Sequence, residues 1–312
     1  MPDAGTTGES SPWRVVVALW RMARPSQLAL ILLVYALGVS MAAGLGTRPD
    51  VGAALRGAVA LLPTAASVHY VNEFADYETD ALTTRTPFSG GSGALVETGL
   101  PHRTAVVAAV VSGVIGVVLA LATGVAGTPA GGLLLVILVA GWQYSAPPLQ
   151  LAWRGFGAVA NAAIGGVLLP LYGYTTVAGP MTATAALATL PFALVVFVNL
   201  LETTWPDREA DAAVGKRTLV VRWPARTVHA LYVIGSVAAV GAAVVLGSDV
   251  LPRRVARAAL FPMVGLVWGI VRFTRRETPL PAVVTMVLVA LTMTAAWLQV
   301  AVARGTVTIP LG

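Results

Sequence analysis

Residues 103–124 read RTAVVAAVVSGVIGVVLALATG, a stretch whose only charged residue is the first. A helix of about 20 apolar residues is long enough to cross a hydrocarbon core roughly 30 Å thick. Within a bilayer, such a segment satisfies its backbone hydrogen bonds by forming a helix. The stretch therefore predicts a transmembrane helix, and apolar runs of similar length recur along the chain.

The composition excludes an ordinary soluble protein. Of the 312 residues, 57% are hydrophobic and only 11% are charged, and the mean hydropathy is +0.80. Soluble domains usually carry about 25% charged residues, far more than this chain has. The chain also contains no cysteine, so disulfides, thiolate metal sites and catalytic thiols are excluded.

The apolar runs predict an all-α, polytopic membrane bundle of nine transmembrane helices. Residues 1–25 are expected to form a polar tail and an interfacial segment that contains Trp13 and Trp20. Residues 26–312 are expected to form a single transmembrane domain. The spans are placed near residues 26–45, 51–72, 103–124, 129–145, 156–175, 183–203, 227–247, 255–273 and 281–303.

The basic residues lie between the apolar runs and predict the orientation of the chain. Most of them fall on the side of the N-terminus, which predicts a cytoplasmic N-terminus in the cell (inner) membrane. Arg253, Arg254 and Arg257 fall on the outer side and count against this orientation. In this topology the two longest polar loops, 73–102 and 204–226, share the cytoplasmic side. Because the basic residues do not cluster on a solvated face, the net charge of +6 does not predict nucleic-acid binding.

Eight of the 14 acidic residues lie in two short windows, each at the end of an apolar run. The windows contain Glu73, Asp76, Glu78 and Asp80, and Glu202, Asp207, Glu209 and Asp211. Asn72, Asp76 and Asp80 are spaced by four residues, so on a helix they form one stripe. Asp207 and Asp211 repeat this spacing after a proline that suits the first turn of a new helix. Like charges at this spacing repel each other, so a cation is expected between them.

The residue types in these windows favour a magnesium site. Carboxylate and amide oxygens, without Cys or His, suit a hard cation such as Mg²⁺, which usually shares its remaining positions with substrate phosphates. Two facing stripes would hold metal ions against a diphosphate and neutralise it as a leaving group. Two alternatives stay open. The windows are also compatible with solvated charges at a membrane edge, or with the ion pathway of a transporter, whose acids are expected nearer the bilayer midplane.

The acidic windows resemble the motifs of the UbiA-type family of intramembrane prenyltransferases. Asn72, Asp76 and Asp80 are similar to its N-D-x₂-D-x₃-D motif after the second span, and Asp207 and Asp211 are similar to its D-x₃-D motif after the sixth. At position 73, where many members have Asp, this chain has Glu. The resemblance implies a prenyltransferase domain with nine helices around a central apolar cavity, and Mg²⁺ bound by these five residues.

Three further strings resemble the menaquinone-type branch, which prenylates a dihydroxynaphthoate. They are RTPFSGGSGALVETG at 85–99, YSAPPLQLAWRGFG at 144–157 and VGKRTLVVR at 214–222. The resemblance implies prenyl transfer from a prenyl diphosphate to an aromatic, quinone-precursor-like acceptor within the membrane. Some superfamily members are terpene cyclases that need no acceptor, and this alternative stays open. The non-catalytic alternative is an isoprenoid-binding or ion-coupled transport protein.

Basic residues near the windows are candidates for contact with the diphosphate. Lys216 is the only lysine of the chain, and its compact ammonium would stabilise the departing group together with the catalytic Asp residues. Arg217 would bind the same oxygens in bidentate fashion. Arg85 and Arg154 lie in the other loops of this side. Anchoring to lipid headgroups is the structural alternative for all four.

Two residues at the end of the fourth span are also predicted to bind substrate. Tyr144 and Ser145 precede Pro147 and Pro148, which must end the helix. Tyr144 would donate to a phosphate or face the developing cation, and a plain interfacial aromatic is the alternative. The glycine-rich stretch 89–93 is either a flexible turn or a cradle of backbone N–H groups for an anion.

Overall fold

The structure is a computed structural model, and it describes residues 12–83 and 90–308. Most of the expected polar tail, as well as Arg85, lies outside these ranges. The described residues form helices and contain no strand. The helices are α1 Pro12–Met22, α2 Pro25–Gly44, α3 Val51–Ala75, α4 Tyr77–Leu82, α5 Ala94–Thr98, α6 Arg103–Ala122, α7 Pro129–Ser145, α8 Gly157–Asn161, α9 Leu169–Ala178, α10 Ala183–Ala188, α11 Leu190–Thr204, α12 Arg208–Ala213, α13 Leu219–Arg222, α14 Ala225–Val245, α15 Arg253–Arg272 and α16 Leu280–Ala303.

The predicted membrane bundle is confirmed. Within the described ranges, eight helices are long and apolar enough to cross a membrane. The remaining predicted span, the fourth, is α7, which is apolar but has only 17 residues. The observed bounds agree with the predicted ones to within a few residues, because long apolar runs determine the position of a span. The chain is therefore a multi-pass, all-α membrane protein.

Two of the spans are built from shorter pieces. The fifth span, Gly157–Ala178, passes through a π-helical segment at Ala162–Leu168 between α8 and α9. Pro170 has no N–H to donate to the preceding turn, which accounts for the altered hydrogen bonding there. The sixth span joins α10 to α11, and Pro191 lies in the first turn of α11.

Close packing of small residues holds the first span against the fifth. A Cβ at Gly38 would overlap the carbonyl of Pro170, and a Cβ at Gly173 would overlap the carbonyl of Tyr35. The hydrophobic effect contributes little to helix association in lipid, so spans associate through van der Waals packing, which small residues favour by allowing close backbone approach. The crossing fixes α2 against α9.

The outer surface of the bundle is apolar. On α6, the side chains of Val107, Val111 and Val114 are each about half exposed, as expected of a face in contact with lipid chains. On α1, Trp13 and Trp20 are exposed, while Ala18 and Met22 are buried. This amphipathic pattern fits the predicted interfacial segment.

The chain direction brings the polar loops together. The second, fourth and sixth spans end at Ala75, Ser145 and Thr204, all at the same end of the bundle. The segments that follow these three ends contact one another, and they contain Asp76, Asp80, Asp207 and Asp211. The central apolar cavity expected between the helices stays a prediction.

Candidate functional site

The site begins where α3 ends. Asn72 lies one turn before Asp76, so both side chains point to the same side of the helix. The Asn72 Nδ2 donates to Asp76 Oδ2 at 2.7 Å and to Ser145 Oγ at 3.0 Å. The predicted residues Asn72, Asp76 and Ser145 are thus in direct contact, and the end of the second span is joined to the end of the fourth.

Lys216 connects the two acidic windows. Its Nζ lies 2.9 Å from Asp76 Oδ1 and 3.3 Å from Asp211 Oδ1, and the residue is only 8% exposed. The turn that places it depends on Gly215, whose φ of +81° is readily adopted only by glycine. Asp76 and Lys216 are 140 residues apart in the sequence, so this contact requires the bundle to be folded.

The second window supplies two buried carboxylates with incomplete hydrogen bonding. Asp207 precedes α12, and Asp211 lies one turn later within it. Asp207 Oδ1 and Asp211 Oδ1 are buried and accept no hydrogen bond from the described residues, although Asp211 Oδ1 is close to the ammonium of Lys216. Buried carboxylate oxygens are costly without a partner, so both atoms are suited to a cation.

The glycine-rich loop lies across both windows. The backbone N–H of Gly90 donates to Asp207, and the backbone N–H of Ser92 donates to Glu73 Oε1 at 3.0 Å. Gly91 has a φ of +63°, and a Cβ there would overlap the carboxylate of Asp80. The backbone N–H groups thus bind carboxylates of the chain itself, as in an anion cradle.

Glu73 has a structural partner that the sequence did not reveal. Arg24 donates through Nε to Glu73 Oε1 at 2.9 Å, and the carboxylate is almost fully buried. Glu73 also accepts from Ser92, so it ties α3 to the start of α2 and to the glycine-rich loop. Glu73, the residue at which the chain departs from the family motif, therefore pairs with Arg24 and not with Lys216.

Trp153 is a second residue that sequence reasoning missed. Its indole Nε1 donates to Asp76 Oδ1 at 3.2 Å, and Lys216 Nζ lies 5.8 Å from the centre of its ring. Tyr144 is close enough to Lys216, Asp76 and Asp211 to interact electrostatically with all three. Trp153 belongs to the string at 144–157, but nothing in the sequence around it indicates that its partner is Asp76.

Two predicted arginines lie outside this cluster. Arg154 and Arg217 are exposed and line a cleft of about 520 Å³ together with Arg222. The structure gives them no contact with the acidic residues, whereas Lys216 and Trp153, their neighbours in sequence, contact Asp76. Their role in diphosphate binding stays a prediction, and Arg85 lies outside the described residues.

Burial and mutual repulsion alter the protonation of the acidic residues. Burial, followed by the charge of Asp76, raises the pKa of Asp80 to about 7. Burial, followed by the charge of Asp211, raises the pKa of Asp207 to about 7. Burial also raises the pKa of Asp211, against the effect of Lys216. For Lys216, burial disfavours the ammonium, but Asp76 and Asp211 outweigh this effect and raise its pKa. The cluster needs additional positive charge to be fully ionised near neutral pH.

The residues fit a metal ion that shares its ligands with a substrate. Among residues 12–83 and 90–308, no three acidic or His side chains lie close enough to hold a metal by themselves. The donors are divided between two sides, with Asn72, Asp76 and Asp80 on one and Asp207 and Asp211 on the other. Mg²⁺ commonly binds one or two carboxylates and takes further oxygens from a phosphate, which matches this divided arrangement.

Comparison with known families identifies the fold and the family. Residues 31–293 match the model of the UbiA prenyltransferase family. The chain belongs to the UbiA prenyltransferase family. The predicted resemblance is thereby confirmed for the family, while the menaquinone-type branch stays a prediction. No curated protein sequence matches the chain.

Solved structures share the architecture at low sequence identity. A UbiA homolog from Archaeoglobus fulgidus, described as bound to GPP and Mg²⁺, is 18% identical, with 91% of this chain and 99% of that chain covered and a TM-score of 0.67. A UbiA homolog from Aeropyrum pernix K1 is 13% identical, with 85% and 96% covered and a TM-score of 0.66. A structure described as a digeranylgeranylglyceryl phosphate synthase is also 13% identical, with 91% and 99% covered and a TM-score of 0.65. At these identities the likeness concerns the fold.

Proposed function

We propose that this protein catalyses Mg²⁺-dependent transfer of a prenyl group from an isoprenoid diphosphate to an aromatic, quinone-precursor-like acceptor within the membrane. The observation that carries the proposal is the contact of Lys216 with both Asp76 and Asp211. It brings the two acidic windows of a UbiA-family chain to one point beside the ends of three spans. The Archaeoglobus fulgidus homologs described with GPP or DMAPP and Mg²⁺ support the substrate class and the cofactor.

Five residues would hold the metal. Asn72, Asp76 and Asp80 would bind from one side, and Asp207 and Asp211 from the other. The Asn72 amide nitrogen is occupied by Asp76 and Ser145, so its carbonyl oxygen is the atom that remains for a cation. When bound, Mg²⁺ supplies positive charge that neutralises the diphosphate as its bond to the allylic carbon breaks.

Lys216 would change partners when a diphosphate binds. In the structure its ammonium offsets the charges of Asp76 and Asp211. With those carboxylates occupied, the ammonium becomes available to the departing diphosphate oxygens, to which it donates hydrogen bonds. Trp153 would keep Asp76 oriented through its indole N–H, and Tyr144 lies close enough to contact the diphosphate or the cation.

The location follows from the same geometry. The site lies at the end of the bundle where the second, fourth and sixth spans finish, which is the cytoplasmic side if the N-terminus is cytoplasmic. Prenyl chains are lipid-like, so the substrate and the acceptor would enter from the bilayer. The apolar interior would exclude water from a cationic intermediate.

One assay separates the candidate functions. Purified protein in detergent is incubated with Mg²⁺ and prenyl diphosphates of several lengths, with and without a naphthoate acceptor. The proposal expects diphosphate release and a prenylated ring only when the acceptor is present. Hydrocarbon or terpene alcohol without acceptor would favour the terpene cyclase, and absence of diphosphate release would favour a binding or transport protein.

Variants test the assignment of the residues. Asp76→Asn and Asp211→Asn keep the size of the side chain but remove a metal ligand, so each should reduce turnover by roughly a thousandfold or more. Asp249→Asn, a change at an acidic residue far along the chain in the turn before α15, serves as the control. Near-normal turnover in either site variant, with an unchanged elution profile, would overturn the metal assignment.

A further inference from the structure

A basic cleft lies beside the acidic cluster and shares one wall residue, Trp153, with it. It has a volume of about 520 Å³, and its walls include Arg154, Arg217 and Arg222 together with Trp153 and Phe156. Among residues 12–83 and 90–308, no acidic residue lines it. None of the three arginines forms an ion pair with any part of the chain that the structure describes. Three guanidinium groups therefore share one concave surface, and the described part of the chain gives them no counter-charge.

Backbone contacts hold the arginines in this arrangement. The N–H of Arg217 donates to the carbonyl of Trp153 at 2.9 Å, and Arg222 Nη1 donates to the carbonyl of Arg154 at 2.8 Å. Gly155, with a φ of +86°, lies against the side chain of Arg222, where a larger residue would crowd it. The loop after α7 and the segment around α13 are thus joined by hydrogen bonds on both sides of the cleft.

The preference for positive charge on cytoplasmic loops explains an excess of arginine in these loops. It does not explain why three arginines line the same cleft. Like charges on one surface repel each other, and a planar guanidinium binds phosphate oxygens in pairs. We propose that this cleft is an accessory binding site for a phosphate-type oxyanion, distinct from the site at Asp76 and Asp211.

The position of the cleft suggests which oxyanions reach it. Lys216 contacts Asp76, while the next residue, Arg217, faces the cleft. Trp153 contacts Asp76 and also lines the cleft beside Arg154. A diphosphate leaving the acidic site past Lys216 would meet the arginines directly, an argument that rests on the proposed function. The phosphate of an anionic lipid headgroup is the other source of the same chemistry at a membrane surface.

The test uses inorganic diphosphate in the absence of metal. Binding to the purified full chain in detergent is measured by calorimetry with EDTA present, so that metal-bridged binding at the carboxylates is removed. The double variant R154Q/R217Q should weaken binding by about a hundredfold, because each charge-assisted contact contributes roughly a tenfold change. Arg103→Gln, which removes an exposed arginine from the start of α6, should leave it unchanged.

The affinities of the variants decide whether the cleft binds diphosphate. Equal diphosphate affinity in the double variant and the wild type would overturn the proposal, and so would an equal loss in Arg103→Gln. If the double variant elutes as aggregate, the single variant R154Q is measured instead and should weaken binding by about tenfold. Diphosphate release from prenyl diphosphates, measured separately with Mg²⁺, reports on the proposed function independently of this binding.

Nanodiscs separate the two sources of the oxyanion. The calorimetry is repeated in phosphatidylcholine nanodiscs and in nanodiscs containing phosphatidylglycerol. If lipid headgroups compete for the cleft, the wild type should bind diphosphate more weakly in nanodiscs that contain phosphatidylglycerol. The variant R154Q/R217Q should show no such difference between the two lipids. Equal affinity in both lipids would assign the cleft to free diphosphate.

Discussion

Replacing Lys216 by methionine removes the positive charge that lies between Asp76 and Asp211. The ammonium lies 2.9 Å and 3.3 Å from the two carboxylates. Each attraction is worth roughly 5 kcal/mol at an effective dielectric constant of about 20, and desolvation offsets much of it. Removing one partner from a buried ion pair typically costs about 3–5 kcal/mol, because the remaining charges are left uncompensated.

Proton uptake reduces this cost. The pKa of Asp211 is already raised by burial, so this carboxyl accepts a proton readily once the ammonium is gone. We therefore expect Lys216→Met to lower the free energy of unfolding by about 3 kcal/mol at pH 8 and by less at pH 6. For a chain of this size, about 3 kcal/mol corresponds to a fall of roughly 5 °C in the melting temperature.

The assay is thermal unfolding of detergent-solubilised protein in EDTA at both pH values. Lys216→Arg keeps the charge and serves as the matched control, with an expected loss well below that of the methionine variant. Arg103→Met controls for loss of an exposed positive charge. A melting temperature for Lys216→Met that equals the wild-type value at pH 8 would refute the reasoning.

Three further predictions concern neighbouring residues. Trp153→Phe keeps an aromatic ring but removes the N–H that binds Asp76, so steady-state kinetics should show kcat reduced by about tenfold with KM little changed; an unchanged kcat would contradict this role. Glu73→Gln removes the charge paired with Arg24, so the free energy of unfolding should fall by about 2–3 kcal/mol in thermal melts, and a value within about 0.5 kcal/mol of wild type would argue against the ion pair. The folded-state pKa of Asp80, about 7, lies above its reference value of 3.8, so between these values the folded protein binds more protons than the unfolded chain. In EDTA this residue should make stability fall as pH rises from about 4 to about 7, and Asp80→Asn should show a shallower fall across the same titration; identical slopes would contradict the shift.

Hydropathy alone predicted the spans because the bilayer imposes a minimum apolar length on each one. The same reasoning predicted that the acidic windows would lie on the same side of the membrane. They follow the second and sixth spans, and even-numbered spans of an antiparallel bundle end on one side. The order of the spans therefore places Asp76 and Lys216 on the same side of the bundle, which is what their contact requires.

The direction of individual side chains in the loops was not predictable in this way. Lys216 and Arg217 are adjacent, and both were expected to face the diphosphate, yet only Lys216 contacts an acidic residue. In a helix or strand the periodicity assigns neighbours to faces, but here the positive φ of Gly215 sets the direction of the chain. The division between Trp153 and Arg154 arises in the same kind of irregular segment.

Contacts between distant segments were also missed. Arg24 reads in the sequence as one of several interfacial arginines, but it lies against Glu73, 49 residues later. Nothing in the spacing of either residue indicates the other, because the pairing depends on how α1 and α2 are joined. The backbone at Arg24 has a φ of +52°, an uncommon conformation for a side chain of this size, and this conformation is visible only in the folded chain.

The chain contains a single side-chain primary amine, that of Lys216. Acylating reagents act on the neutral amine, and this one is buried and held protonated between two carboxylates. Apart from the N-terminus, such a reagent can therefore form an amide only with the Lys216 amine at the centre of the site, and only when the salt bridges open. The rate of that modification, followed on the peptide that contains Lys216, is a direct chemical readout of how often the two acidic windows separate.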